Sequence, residues 1–341
     1  MRGESRPETS PGVEALLDAT VPIGGARVPV RTLLMACLSN SPPVAPGTPG
    51  QGEAARLAAR FIRAGAAELE VIAEADGWVQ LDLGLRAAVP VALRREVAAL
   101  VEGLLASGEA ANAFFMHKPP GLRLRVQFEA ASAAEGQARL GRAAAGWAAA
   151  GLIESHAFAR YEPEATLFGG SDAMREVHRL FTIDSAAWLA LHALPAGPQV
   201  TLPSSLLLLR HLFAGMGIVD WEDLDVWTKV RATGRALGPA RAGLPAEAVA
   251  EVSEALAALW ADPRAALGGL DEVPRARLEA AASRLAAAAP RWRDRLRADA
   301  TGTGPRAAAA LYVVFLWNRA GLARERQALV AEALASRPVL G

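Results

Sequence analysis

Cysteine is almost absent from this sequence, since Cys37 is the only one in 341 residues. A single thiol excludes an intrachain disulfide and cannot build a zinc cage, so we expect a cytoplasmic protein. Cys37 lies in the apolar segment 33–38. We expect it to be a small buried residue rather than a nucleophile.

Net charge, a secretory signal and a membrane-length apolar run are also missing. Lysine plus arginine and aspartate plus glutamate both number 36, which disfavours a nucleic acid as the main partner. The start of the chain lacks the apolar region of a signal peptide. The longest apolar run, Ala307 to Trp317, is too short to cross a bilayer. These absences predict a soluble protein that does not associate with membranes.

Motifs for metals, nucleotides and serine hydrolysis are absent as well. The histidines have none of the spacings typical of metal ligands; they are His117, His156, His178, His192 and His211. The sequence contains no phosphate-binding loop, no G-x-G-x-x-G after a strand and no G-x-S-x-G nucleophile elbow. We therefore expect neither a bound metal nor a cofactor.

The most informative segment is an apolar run, 114–116, that stops at a Pro-Pro-Gly turn, 119–121, and resumes as an alternating segment, 122–128. Leucine, valine and phenylalanine fall on one face, and Arg123 and Arg125 fall on the other. This pattern predicts a strand, a turn and a second strand. Two guanidinium groups on one sheet face predict a binding site for an anion or for peptide carbonyls.

Strand patterns concentrate before residue 170 and helical patterns after it, which predicts an α+β fold. We expect an antiparallel sheet packed with helices in the N-terminal half, and a mostly helical C-terminal half. One domain is expected over 1–341, with 1–12 flexible and a Pro/Gly-rich loop at 39–52. A strand is predicted over 78–83, and helices over 53–65, 93–107, 130–150, 172–191, 204–214, 221–231, 246–260, 275–289 and 306–336.

Three side chains are candidate proton carriers. Tyr161 follows a short apolar stretch at the start of a polar turn, and a phenol there can act as a general acid. Tyr312 lies in the longest apolar run, and His117 lies beside the two arginines, whose charges lower the pKa of an imidazole. Packing alternatives remain open for all three: a half-buried Tyr161, a core Tyr312 and a partly exposed His117.

Trp317, Asn318 and Arg319 are consecutive on a predicted helix. They combine a planar ring, an amide and a guanidinium, which suit the binding of a peptide that carries aromatic heterocycles. The open alternative is a helix that packs Trp317 inward and exposes Arg319 to solvent.

Four segments of the sequence resemble, in order, motifs of the C-terminal domain of class I lantibiotic dehydratases and of its stand-alone relatives in thiopeptide biosynthesis. The segments are Gly121 to Phe128, Tyr161 to Gly170, Phe181 to Ser185, and Asn318-Arg319. The resemblance extends from about Phe114 to about Arg319.

In the lantibiotic relatives this domain removes glutamate from glutamylated serine or threonine. Eliminating members usually carry a histidine one helical turn before the final Asn-Arg, where this sequence has Val314. Two further basic positions are replaced by Met116-His117 and by Leu167-Phe168. The resemblance therefore implies a thiopeptide pyridine synthase, which joins two dehydroalanines by a formal [4+2] aza-cycloaddition with loss of water and of the leader peptide.

Two alternatives stay open: a stand-alone glutamyl-elimination subunit of a split dehydratase, and a non-catalytic scaffold subunit that binds the peptide. The implied partners are a modified ribosomal precursor peptide, with a leader and a core of thiazoles and dehydroalanines, and other enzymes of the pathway. The oligomeric state is not predicted. In the first reading, catalysis rests on Tyr161, Tyr312 and His117. Substrate binding rests on Arg123, Arg125, Trp317, Asn318 and Arg319.

Overall fold

The fold is taken from a computed structural model that describes residues 13–39, 47, 50–75, 77–86, 88–118, 121–194, 198–234, 246–298 and 302–337. The predicted flexible segment 1–12, most of the predicted loop 39–52 and the Pro-Pro pair 119–120 lie outside the described residues. Contacts divide the chain into two compact units, residues 1–72 and 73–341. The expectation of one domain over the whole chain stays a prediction.

The strands are β1 (Thr20–Ile23), β2 (Ala26–Pro29), β3 (Trp78–Gly84), β4 (Ala110–Lys118), β5 (Gly121–Phe128) and β6 (Ser155–Ala159). The helices of the first half are α1 (Val13–Asp18), α2 (Val30–Leu38), α3 (Gln51–Ala75), α4 (Val91–Ala106) and α5 (Ala133–Ala149). Those of the second half are α6 (Ser171–His192), α7 (Thr201–Met216), α8 (Glu222–Ala232), α9 (Ala246–Ala261), α10 (Glu272–Ala298), α11 (Pro305–Ala320) and α12 (Arg324–Ala335).

The first unit is built on a β-hairpin that the sequence analysis did not predict. β1 and β2 pair antiparallel, and Gly24 and Gly25 form the turn with φ of 57° and 85°. Only glycine adopts such angles easily, as tight hairpin turns require. The Gly24 N–H donates to Oε2 of Glu53, at 3.0 Å, and so attaches the turn to α3. Cys37, expected to be buried, is half-buried on α2.

The second unit contains an antiparallel sheet of four strands in the order β4-β5-β3-β6. Cross-strand partners share a face of a sheet. One face is apolar, from Leu81 of β3 and Leu124 of β5, and α5 packs there so closely that a Cβ on Gly136 would meet the Phe128 ring at 2.6 Å. The alternation predicted for 122–128 is therefore confirmed.

The opposite face of this sheet, called the polar face below, carries Gln80, Asp82, Arg123 and Arg125 beside less polar residues such as Phe114. α6 runs beside this face along the edge strand β4. The Ala113 N–H of β4 donates to Oγ1 of Thr182, at 3.1 Å, so the helix covers a strand edge that would otherwise be free to pair. The remaining helices α7 to α12 complete the unit. The α+β class, with its sheets in the N-terminal half and helices in the C-terminal half, is confirmed.

One predicted helix was wrong. The single helix expected over 306–336 is two helices, α11 and α12, because Gly321 ends α11 with a φ of 70°. A glycine in the left-handed region is a common helix stop. No described helix has the length and apolar character needed to cross a membrane.

Candidate functional site

The polar face of the sheet holds a row of cross-strand neighbours centred on Arg125. Its partners in register are Phe114 on β4 and Gln80 on β3. The Arg125 Nε–H donates to Oε1 of Gln80, at 2.8 Å, and only 7% of the residue is exposed. The guanidinium carbon lies 4.4 Å from the ring centre of Tyr161. Arg125 is thus held as a buried cation over an aromatic ring.

Tyr161 is paired with His178, which α6 carries to the same place. The Tyr161 hydroxyl and Nε2 of His178 are 2.9 Å apart, a hydrogen bond in which either group can donate. Burial lowers the pKa of His178 to about 3, helped by the charge of Arg125, and burial raises the pKa of Tyr161 well above its ordinary value. Both groups are therefore neutral near pH 7, and the phenol keeps its proton.

Glu164 adds a carboxylate beside this pair. Burial raises the pKa of Tyr161 and lowers that of Arg125, and the charge of Glu164 adds to the first shift and opposes the second. Oε2 of Glu164 is buried without a hydrogen-bond partner among the described residues. An unsatisfied buried carboxylate oxygen is costly and is a place where a ligand group can donate.

Arg123 and Asp82 lie at the end of the polar face that is accessible to solvent. Their Nε and Oδ1 atoms are 3.3 Å apart, and each side chain is about one third exposed. The side-chain amide of Gln80 donates to the same Asp82 oxygen, at 2.9 Å, and links this pair to Arg125. The two arginines predicted to share a face do so, one accessible to solvent and the other buried.

A second buried network joins α6 to the C-terminal helix α11. Arg319 donates from Nε and Nη2 to the two oxygens of Asp184, both at 2.6 Å, and the Tyr312 hydroxyl donates to Oδ2 at 2.5 Å. All three residues are fully buried. Burial raises the pKa of the Asp184 carboxyl, and the guanidinium of Arg319 opposes that shift. Tyr312 and Arg319 therefore lie on one face of α11, and the hydrogen of the Tyr312 hydroxyl is used in the bond to Asp184.

The two networks lie close together. The guanidinium carbon of Arg319 lies 4.1 Å from the ring centre of Phe181, and Phe181 lies 5.2 Å from Phe114, which is the neighbour of Arg125. Arg319 also donates to the Met116 sulfur, at 3.7 Å. A continuous layer of aromatic rings and guanidinium groups thus connects Tyr161 to Tyr312.

His117 lies apart from this layer. Successive residues of a strand face opposite sides, so His117 points away from the face of Met116 and Arg123. Its ring is 5.7 Å from that of His192. Burial lowers the pKa of His117 to about 4, and the nearby charge that adds to this is Arg94, not the two arginines expected from the sequence.

Trp317 and Asn318 do not join Arg319 in one patch. Trp317 is fully buried and stacks on Trp227, with ring centres 5.9 Å apart. Asn318 accepts a hydrogen bond from Gln327 of α12, at 3.2 Å. Neighbours on a helix are about 100° apart, which separates the three side chains. Their predicted role in substrate binding stays a prediction.

His178, Asp184, Glu164 and Gln80 belong to the site but were not predicted from the sequence. One of these had a readable signal: Asp184 is a charged residue inside an apolar helical segment, where a charge needs a buried partner. His178 and Gln80 carried no comparable signal, because their partners come from distant parts of the chain.

Among solved structures, the chain is similar to the tRNA-dependent lantibiotic dehydratase MibB from Microbispora sp. 107891. The TM-score is 0.55 at 21% sequence identity, and the match covers 76% of this chain and 28% of that one. The chain thus corresponds to less than a third of that protein. The similarity shows a shared fold.

The particular family follows from the sequence itself. The family model described as "Lantibiotic biosynthesis dehydratase C-term" matches residues 78–338. The chain therefore belongs to the family of lantibiotic dehydratase C-terminal domains, as its motifs indicated. No curated protein matches the sequence significantly.

Proposed function

We propose that this protein is a thiopeptide pyridine synthase that acts on a ribosomal precursor peptide bearing thiazoles and two dehydroalanines. One dehydroalanine, with its preceding amide as the imidic acid tautomer, is the azadiene, and the other is the alkene. Ring closure forms two C–C bonds, from the terminal CH2 and from the imidic acid carbon of the azadiene to the two alkene carbons, while the C–N bonds of the ring are already present. The six-membered ring then loses water and the leader peptide, which departs as an amide, and becomes a pyridine.

The observation that carries this proposal is the uncharged, buried pair of Tyr161 and His178 beside Arg125. Tautomerisation and dehydration need a group that delivers a proton and a group that takes one back, a contribution of about 10²–10⁴-fold. A phenol with a raised pKa delivers its proton only in a hydrogen bond to a developing negative charge. The neutral imidazole of His178 takes a second proton from the substrate and then passes it to the phenolate, 2.9 Å away. Arg125 then stabilises the phenolate formed on the way.

Most of the rate acceleration in this proposal comes from holding the two dehydroalanines in the orientation that reacts. Two distant dehydroalanines on one flexible peptide must meet, and oriented binding can supply about 7–11 kcal/mol. Arg123, accessible at the open end of the polar face, binds a backbone carbonyl or carboxylate of the peptide. Tyr312 and Arg319 then act through Asp184 as a rigid support beneath the reacting groups, which modifies their predicted direct contact with substrate.

The positions of the basic residues lost from eliminating relatives agree with this choice. Val314, where those relatives have a histidine, is 8% exposed in an apolar setting. Phe168 is fully buried and packs against Phe181 and Phe315. Both residues belong to the apolar core, and neither side chain can move a proton.

Glutamate elimination is the second candidate, favoured by the retention of Arg123 and Arg125 on one face. Two guanidinium groups could hold a glutamyl carboxylate. Two substrates separate the candidates: a thiazole peptide with preformed dehydroalanines, and the same peptide with glutamylated serine. Mass spectrometry should show loss of water and leader from the first and no change in the second. Conversion of only the second supports elimination, and binding without any mass change supports a scaffold.

A further inference from the structure

A groove with a volume of about 940 Å³ opens between α4, α6 and α10. Alanine is the commonest residue of its lining, and none of its lining side chains is aromatic. The α4 wall extends from Arg95 to Ala106, about 16 Å at 1.5 Å per residue. An extended peptide of about five residues covers that length.

The groove is positively charged although the whole chain is neutral. Its charged lining residues are Arg95, Arg277, Arg284 and Glu102. Arg277 spans the groove to Glu102 at 3.8 Å, with more than half of both side chains exposed. Such a pair contributes about 0–1 kcal/mol and is readily exchanged for another carboxylate. Arg284 is exposed, and no carboxylate of the described residues lies within ion-pair distance of it.

The groove and the two buried networks meet at a single helix, α6. Successive residues of α6 are turned by about 100°. Ala186 and Ala190 face the groove, while Asp184, about 160° from Ala186, faces the network of α11. His178 lies at the border of the two faces, about 40° from Thr182, which lines the groove. A ligand in the groove is therefore separated from the Asp184 network by the body of α6.

We infer that this groove binds an acidic segment of the peptide substrate, with carboxylates on Arg277 and Arg284 and the backbone lying on the alanine floor. The inference rests on the proposed function only in taking the ligand to be a peptide. Small side chains let a peptide backbone approach the helices closely, and three guanidinium groups against one carboxylate select negative charge. Proteins that bind single-stranded nucleic acid stack its bases on aromatic side chains. Because no aromatic side chain lines the groove, this ligand is disfavoured.

Binding of one peptide segment in the groove favours the reaction of the other segments. Once one segment of a peptide is held, its remaining segments reach the site at an effective concentration in the millimolar range for short connections. The groove then confines the peptide without contacting the reacting dehydroalanines.

The test is fluorescence anisotropy with a short fluorescein-labelled peptide that alternates aspartate and alanine. A second peptide has asparagine in place of aspartate. We expect the acidic peptide to bind at least about tenfold more tightly, equivalent to about 1.4 kcal/mol. The double variant Arg277→Glu/Arg284→Glu should abolish that preference. Ala190→Phe, which fills the groove without changing charge, should weaken binding of both peptides.

Arg297→Glu/Arg326→Glu is the matched control, because both arginines are exposed outside the groove, on α10 and α12, and the double substitution changes the charge by the same amount. Equal binding of both peptides, wild-type binding by the double variant, or an equal loss in the control would each overturn the inference. Displacement of the acidic peptide by unmodified transfer RNA would assign the groove to nucleic acid instead. Binding is measured without turnover, so a protein that fails to form pyridine yet shows this charge preference would refute only the proposed function.

Discussion

Replacing Asp184 with asparagine tests whether the buried network of Asp184, Tyr312 and Arg319, which joins α6 to α11, stabilises the second unit. Asp184 receives three hydrogen bonds, two from Arg319 and one from Tyr312, and all three residues are fully buried. Asp184→Asn keeps the shape of the side chain but leaves the Arg319 guanidinium as an unpaired buried charge. Breaking a buried pair in this way costs about 3–5 kcal/mol.

The assay is urea unfolding followed by tryptophan fluorescence, since the Trp292 ring lies 5.8 Å from that of Tyr312. Asp82→Asn is the matched control, because it removes the same charge from the Arg123 pair, in which both side chains are partly exposed. That control should cost no more than about 1 kcal/mol. A loss of stability in Asp184→Asn no larger than in Asp82→Asn would refute the reasoning.

Four further outcomes are expected. Tyr161→Phe should fold normally and lose about 10²–10⁴-fold in turnover, measured by product formation under single-turnover conditions; unchanged turnover would reduce Tyr161 to a packing residue. Arg123→Ala should weaken peptide binding in anisotropy while leaving stability near that of the wild type, whereas Arg125→Ala should also lower the urea midpoint; equal effects would contradict the different burial of the two arginines. Because His178 has a folded pKa of about 3 against 6.5, the unfolded chain binds the extra proton, so His178 alone should lower the free energy of unfolding by about 1.4 kcal/mol per pH unit below pH 6.5. Burial also lowers the pKa of His192 and His117, which add to the fall, and in urea unfolding across this pH range His178→Gln should make the fall shallower by the His178 share. Val314→His alone should not produce glutamate elimination on a glutamylated peptide, and its appearance by mass spectrometry would contradict the importance of the other missing basic residues.

Local patterns predicted much of the sheet and many of the helices. The alternation over 122–128 depends only on neighbouring residues, and it placed Arg123 and Arg125 on one face as found. The helix break at Gly321 was missed because flanking apolar residues continue a helical pattern on both sides. The hairpin at Gly24-Gly25 had the turn signal of paired glycines but only short strands beside it.

The composition of the site was much less predictable. Asp184 meets Tyr312 and Arg319 across sequence separations of 128 and 135 residues, and Tyr161 meets His178 only because the turn at Gly169 brings α6 back against the sheet. Gly169 has a φ of 95°, and a Cβ there would lie 2.3 Å from Leu296 of α10. Periodicity identifies which face a residue occupies, but not which distant face it meets.

The central claim is that this protein forms a pyridine and releases the leader peptide as an amide. The most direct measurement is mass spectrometry of the released leader after incubation with a thiazole peptide that carries two dehydroalanines. Formation of the aromatic ring predicts a leader ending in a carboxamide, in equal amount to a macrocycle that has lost water. A leader ending in a carboxylic acid, or an unchanged peptide with fully folded protein, would contradict it.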